Sequence, residues 1–305
     1  MKRKILITGS TGRTGKLFVK ELEQRKSILA ECDLAVTVRR GSDTSILDAS
    51  GIFFEKLEGD LLDPLFCDTI TKGVDTIVHI AGIHYSLPFV SIAAQNRVRR
   101  IIAVHTTGIY SKYKEAGEEY RQIDKKCYEI CKSCGTSLTI LRPTMIYGDT
   151  DDANMVRFIK LCDRFPVIPT VSGARYLLQP VHRGDLAKAY CDVLVNEEGT
   201  MGKDYILSGD RPILLRDILA LISSDLGKKA RFLSVPFSLA FIGAWTIYAA
   251  SFKRIDIREK VQRLVEDRSY PHDKAEEDFG YSPRRFEEGI RIEVRAYLSE
   301  KVNKS

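Results

Sequence analysis

Seven residues near the start constrain this chain most. After an apolar run at residues 5–8 come Gly9, Ser10, Thr11, Gly12, Arg13, Thr14 and Gly15, and then an amphipathic stretch at 16–24. Glycines three apart between a strand and a helix allow a tight turn, a close approach of backbone to ligand and tight helix–strand contact. The helix start then offers unpaired N–H groups and a partial positive charge, which suits a pyrophosphate. The reading is a dinucleotide-binding βα turn.

The rest of the first half repeats that unit. Further strand-like runs fall at 34–38, 53–57, 76–80, 101–105 and 137–141, and a helical pattern from about Tyr120 to Cys134 is closed by Gly135. Strands alternating with helices imply a Rossmann-type, doubly wound parallel α/β sheet. We expect residues 1–165 to form this domain and 166–305 a smaller C-terminal α/β substrate subdomain, with a helix near 186–195 packed back on the core.

At the end of the second strand stand Arg39 and Arg40 rather than an acidic residue. A carboxylate there would accept from a ribose 2′-hydroxyl, whereas a guanidinium matches a 2′-phosphate, so NADP(H) is expected over NAD(H).

Composition excludes other classes. The chain has 305 residues with 44% hydrophobic and 29% charged, ordinary for a globular protein. Its net charge of +6 is dispersed and its aromatic share is 9%, which argues against nucleic acid as a partner. The seven cysteines, Cys32, Cys67, Cys127, Cys131, Cys134, Cys162 and Cys191, show no framework spacing. With no signal-peptide pattern ahead of the first strand, they are expected as reduced thiols in the cytoplasm. Cys127, Cys131 and Cys134 share a helix face but lack a fourth metal ligand, so apolar fillers are expected and no metal.

Further motifs follow in order: Gly59-Asp60-Leu61, then Val78-His79-Ile80-Ala81-Gly82, then Leu-Arg-Pro-Thr-Met-Ile-Tyr-Gly at 141–148. Gln-Pro-Val-His-Arg-Gly-Asp-Leu-Ala at 179–187 and Phe-Gly-Tyr-Ser-Pro at 279–283 complete them. The series resembles the extended and atypical short-chain dehydrogenase/reductases, which include nucleotide-sugar epimerases and dehydratases. The resemblance implies Asp60 and Leu61 beside an adenine, Ala81 and Gly82 beside its ribose, and Pro143 and Thr144 near the nicotinamide. It also implies a catalytic Thr106 and Tyr120, the tyrosine serving as acid/base.

Two positions depart from the family pattern. The lysine expected four residues after the tyrosine is Asp124, which would hinder phenolate formation. A Tyr110–Lys114 match lies too near a strand end to replace it. The arginine that grips a nucleotide-sugar diphosphate is Leu178 here. His79 and His105 end adjacent strands and are substitute proton donors or core histidines; Asp185 is read as a helix cap beside a junction His182. The reading is therefore an NADP(H)-dependent oxidoreductase, epimerase or dehydratase acting on a small or sugar-like carbonyl or alcohol. A non-catalytic NAD(P)H-binding regulatory or assembly protein is the alternative.

Residues 232–252 carry no charge and are flanked by Lys228, Lys229, Arg231, Lys253 and Arg254. Pro236 and Gly243 argue against a membrane span. A helix buried in the second subdomain or at a homodimer contact is expected, with peripheral membrane contact as the alternative.

Overall fold

The computed structural model describes residues 2–27, 29–113, 115–152 and 154–303; Lys114 thus lies outside the described residues. The six strand-like runs correspond to strands: β1 (Arg3–Thr8), β2 (Cys32–Val38), β3 (Glu55–Glu58), β4 (Thr76–His79), β5 (Arg100–Val104) and β6 (Ser137–Pro143). Between them lie helices α1 (Arg13–Gln24), α2 (Ser45–Ala49), α3 (Pro64–Thr71), α4 (Ile83–Gln95) and α5 (Gly117–Cys134). β4 and β5 are buried along their whole length, as strands covered by helices on both faces must be. The sheet is parallel throughout, in the order β3-β2-β1-β4-β5-β6. The order reverses between β1 and β4, and at such a switch point the crevice for a ligand opens past the strands' C-terminal ends.

The chain returns to this sheet after residue 166. The strand Asp204–Leu207 pairs in parallel with β6 and is the seventh and last in the order. The helix Arg183–Val195 lays Leu186, Ala189, Tyr190 and Val193 on the core face that also takes Phe18 and Val19 of α1. The other face is covered by α3, α4 and α5, including Cys127 and Cys131. Cys134, by contrast, is exposed, and all seven cysteines are free.

A separate core lies beyond β6. It joins the helices Met155–Arg164, Leu215–Asp225 and Phe286–Asn303 through Ile159, Ile218, Ile222, Phe286 and Ile290. Small sheets connect it, among them Ile168–Val171 paired in parallel with Phe232–Val235.

The charge-free segment departs from expectation. It forms that strand and then a helix, Phe237–Ala250, in which Ala244 alone is fully buried. Leu239, Ile242, Trp245 and Ile247 face outward. Fourteen residues rise only about 21 Å, and among the described residues no helix is long and apolar enough to cross a membrane. A run without charge implied burial, but the helix protrudes and touches mainly the short helix Arg258–Arg263.

Candidate active site

The glycine loop is built around its lack of side chains. Gly9 has φ +77°, and a Cβ there would sit 2.7 Å from the Ala81 amide nitrogen. A Cβ on Gly15 would meet the Gly9 carbonyl oxygen at 2.0 Å. Neither neighbour can yield, because both are backbone. Gly12 begins α1 with no side-chain cap and no acidic residue in the first turn, so these N–H groups stay available to an anion. Ser10 is fully buried and its hydroxyl has no protein partner. Gly82, at φ +106°, starts α4. These features fit a dinucleotide pyrophosphate.

Two cavities flank the loop. One, of about 340 Å³, is lined by Gly9, Thr11, Gly12, Arg39, Asp60, Leu61 and Ala81, residues from four strand ends. The other, of about 430 Å³, takes Arg13, Thr14, Thr106, Thr144, Tyr147 and Asp152. Arg40 is exposed and outside the lining; Pro143 is buried, its carbonyl accepting from the Thr107 hydroxyl at 3.1 Å.

Thr106 ends the β5 turn, where its hydroxyl accepts from the Gly108 N–H at 3.0 Å. Tyr120 lies on α5 and lines neither cavity. Its hydroxyl sits 3.4 Å from His84 Nε2, with the two rings edge to face, and burial raises its ionisation above the ordinary tyrosine value.

Asp124 is engaged elsewhere. Its carboxylate accepts from His105 Nδ1 at 2.5 Å and from the Arg142 guanidinium at 2.6 Å, while His105 Nε2 meets Ser86 Oγ at 3.0 Å. Burial opposes its ionisation, but His105 and Arg142 outweigh burial and hold the carboxyl below the usual range. All four residues are buried. His79 is buried too, bonded to the Thr8 hydroxyl and stacked on Phe89, with burial pushing its pKa down to about 3. Both histidines therefore serve the core.

The later junction differs in detail from the sequence reading. His182 itself caps the helix Arg183–Val195, accepting from the Gly184 N–H at 3.0 Å. Asp185 instead binds Arg284 at 2.9 Å, one turn in, where a carboxylate also favours the helix dipole.

The second cavity is cationic, with Arg13, Arg183, Arg263 and Arg268 on its wall. Arg13 and Arg183 are matched by Asp149 and Asp151. Arg268 has no ion pair among the described residues, its Nε is unpartnered, and burial lowers its pKa to about 10. Sequence reasoning missed it, since one arginine in a charged tail gives no signal. It also missed Glu293, which is buried on the last helix. Glu293 accepts from the Gly148 N–H at 2.9 Å, and burial followed by the nearby Asp152 raises its pKa to about 9. Among the described residues no group of side chains could hold a metal ion.

A family model described as NAD(P)H-binding matches residues 9–196, well over half of the chain. The chain belongs to this family. A nicotinamide cofactor follows. Triphenylmethane reductase from Citrobacter sp., solved with NADP(H), is similar in fold over 94% of this chain and 99% of its own, with TM-score 0.69 and 21% identity. So is DesIV, a dTDP-glucose 4,6-dehydratase from Streptomyces venezuelae solved with NAD, over 98% of each chain, with TM-score 0.69 and 18% identity. A curated relative, the 4-hydroxy-2-methyl-3-oxo-4-farnesyl-3,4-dihydroquinoline-1-oxide ketoreductase of Stigmatella aurantiaca, is 28% identical over 156 residues. That match covers 49% of this chain and 46% of the ketoreductase.

Proposed function

We propose that the protein is an NADP(H)-dependent oxidoreductase that interconverts a small or sugar-like carbonyl and its alcohol. The observation that carries this reading is the pair of cavities meeting at the glycine loop. Arg39 stands on the adenosine side, where it matches a 2′-phosphate, and Thr106 and Thr144 stand on the other. The relative named as a ketoreductase supports reduction of a carbonyl. Thr106 orients the substrate oxygen in this reading. Tyr120, on α5 outside both cavity walls, is the proton donor that the family resemblance implies, and its removal tests that role. The unmatched Arg268 favours a substrate carrying an acidic group.

Titration calorimetry checks the cofactor: NADPH is expected to bind more tightly than NADH. Replacing Arg39 and Arg40 by alanine should erase the difference, a loss of about 1–3 kcal/mol. Equal affinities in the unaltered protein would end the claim. A panel of ketones followed by loss of NADPH absorbance checks turnover, with Tyr120→Phe expected to stop it and leave NADPH binding intact. One observation favours a second reading, cofactor binding without turnover: Asp124 replaces the assisting cation and is locked to Arg142. A panel without turnover gives that reading the lead.

A further inference from the structure

We infer that the helix Phe237–Ala250 docks the protein on an anionic membrane surface. The helix is charge-free and stands out from the fold, with Leu239 60%, Ile242 57% and Trp245 48% exposed. Just past its end Phe252 is 88% exposed, on a turn where Phe252 and Lys253 take positive φ. So much contiguous apolar surface is not left to water in a stable protein. The helix is too short to span a bilayer, which leaves the interface as its depth.

Charge selects the occupant. Lys229 and Arg231 precede the strand that leads into the helix, and Lys253 and Arg254 follow the helix. None of the four makes an ion pair or side-chain hydrogen bond among the described residues, and Lys229, Arg231, Lys253 and Arg254 are all exposed. The next acidic residue, Asp256, is already held by Arg258 at 2.6 Å. An apolar wedge edged by unpaired cations matches acyl chains below anionic headgroups. A second copy of the chain matches less well. A two-fold contact would press like charges together at both ends of the helix, and apolar residues around its whole girth present no single stripe to a partner helix.

Trp245 is the only tryptophan in the chain, so its emission reports on this helix alone. Adding vesicles of phosphatidylcholine with phosphatidylserine should shift that emission to the blue and carry the protein into the vesicle pellet. Vesicles of phosphatidylcholine alone should do neither. Replacing Lys229, Arg231, Lys253 and Arg254 by serine should weaken binding by about five-fold per cation removed. Leu239→Glu with Ile242→Glu should abolish it, while melting temperature and NADPH affinity stay as they were, because both side chains are already in water. An emission spectrum unchanged by anionic vesicles overturns the proposal. So does wild-type protein that ignores vesicles but dimerises in sedimentation equilibrium and becomes monomeric on Leu239→Glu, which would give the helix to a second copy.

Discussion

At the scale of single residues, Asp124 stands where the resemblance implies a lysine, and the core holds it. A lysine there would place an ammonium under the tyrosine. Here the carboxylate neutralises Arg142, which is buried in β6, and fixes His105 between itself and Ser86. Restoring the family residue by Asp124→Lys is therefore expected to unfold the protein rather than activate it. It sets two cations side by side in the core and should cost about 3–5 kcal/mol, read as a drop in the urea midpoint. Unchanged stability with faster turnover would refute this account. The pH dependence follows from the lowered carboxyl. Its contribution is present above the ordinary carboxylate pKa and is lost as the solution acidifies through the lowered folded value. The gap between wild type and Asp124→Asn should accordingly start to close only as the pH falls below about 4, and close fully below the lowered folded value. Asp124 was legible as a departure and not as a partner. The glycine loop declares itself within seven residues, whereas His105 and Arg142 lie 19 and 18 positions away and only the fold joins them.

Elements differ in how far local pattern determines them. The inner strands β4 and β5 are apolar because both faces are covered, so pattern located them, whereas the edge strand β3, Glu55–Glu58, is largely exposed. The place of the strand Asp204–Leu207 beside β6 depends instead on a long connection that runs through part of the second core. The helix Phe237–Ala250 misled for a physical reason: absence of charge states what a segment avoids, and water-free surroundings include a membrane as well as a core. The last helix, Phe286–Asn303, hides its most consequential residue. Glu293 Oε1 and Asp152 Oδ2 are both buried without a donor among the described residues, and a proton held on Glu293 supplies one. A carboxyl raised to about 9 when folded binds a proton that the unfolded chain gives up near its ordinary value. Stability should then fall as pH rises from about 4.5 towards 9. Glu293→Gln keeps the acceptor for the Gly148 N–H and supplies a permanent donor. It should raise stability at pH 8 by on the order of 3 kcal/mol and flatten the decline, measured by urea unfolding across pH. A variant as pH-sensitive as wild type would show that Glu293 is already ionised.

Across the whole molecule, the two cores are bound more closely than their sequence order implies. The chain leaves the sheet after β6, builds part of the second core, and returns through the helix Arg183–Val195 and the strand Asp204–Leu207 before completing it. Arg100, fully buried at the start of β5, clamps this return by donating to the carbonyls of Val193 and Leu194 at 2.7 and 3.0 Å. Those carbonyls end a helix, where a cation also meets the negative pole of the dipole. Across the cleft, Arg13 of the glycine loop holds Asp151 at 2.9 Å, but this pair is half exposed and adds little. Apolar and buried contacts, not the surface pair, thus couple the halves. We therefore predict one cooperative thermal transition, with calorimetric and van't Hoff enthalpies equal, although the chain folds around two cores. In the proposed site NADPH would touch both the first core and the cleft, so at a hundred times its Kd it should move that single transition upward, by about 2.7 kcal/mol of stability. Two transitions of which NADPH moves only one would mean that residues 1–165 and 166–305 melt as separate units, and that the return through Asp204–Leu207 couples them weakly.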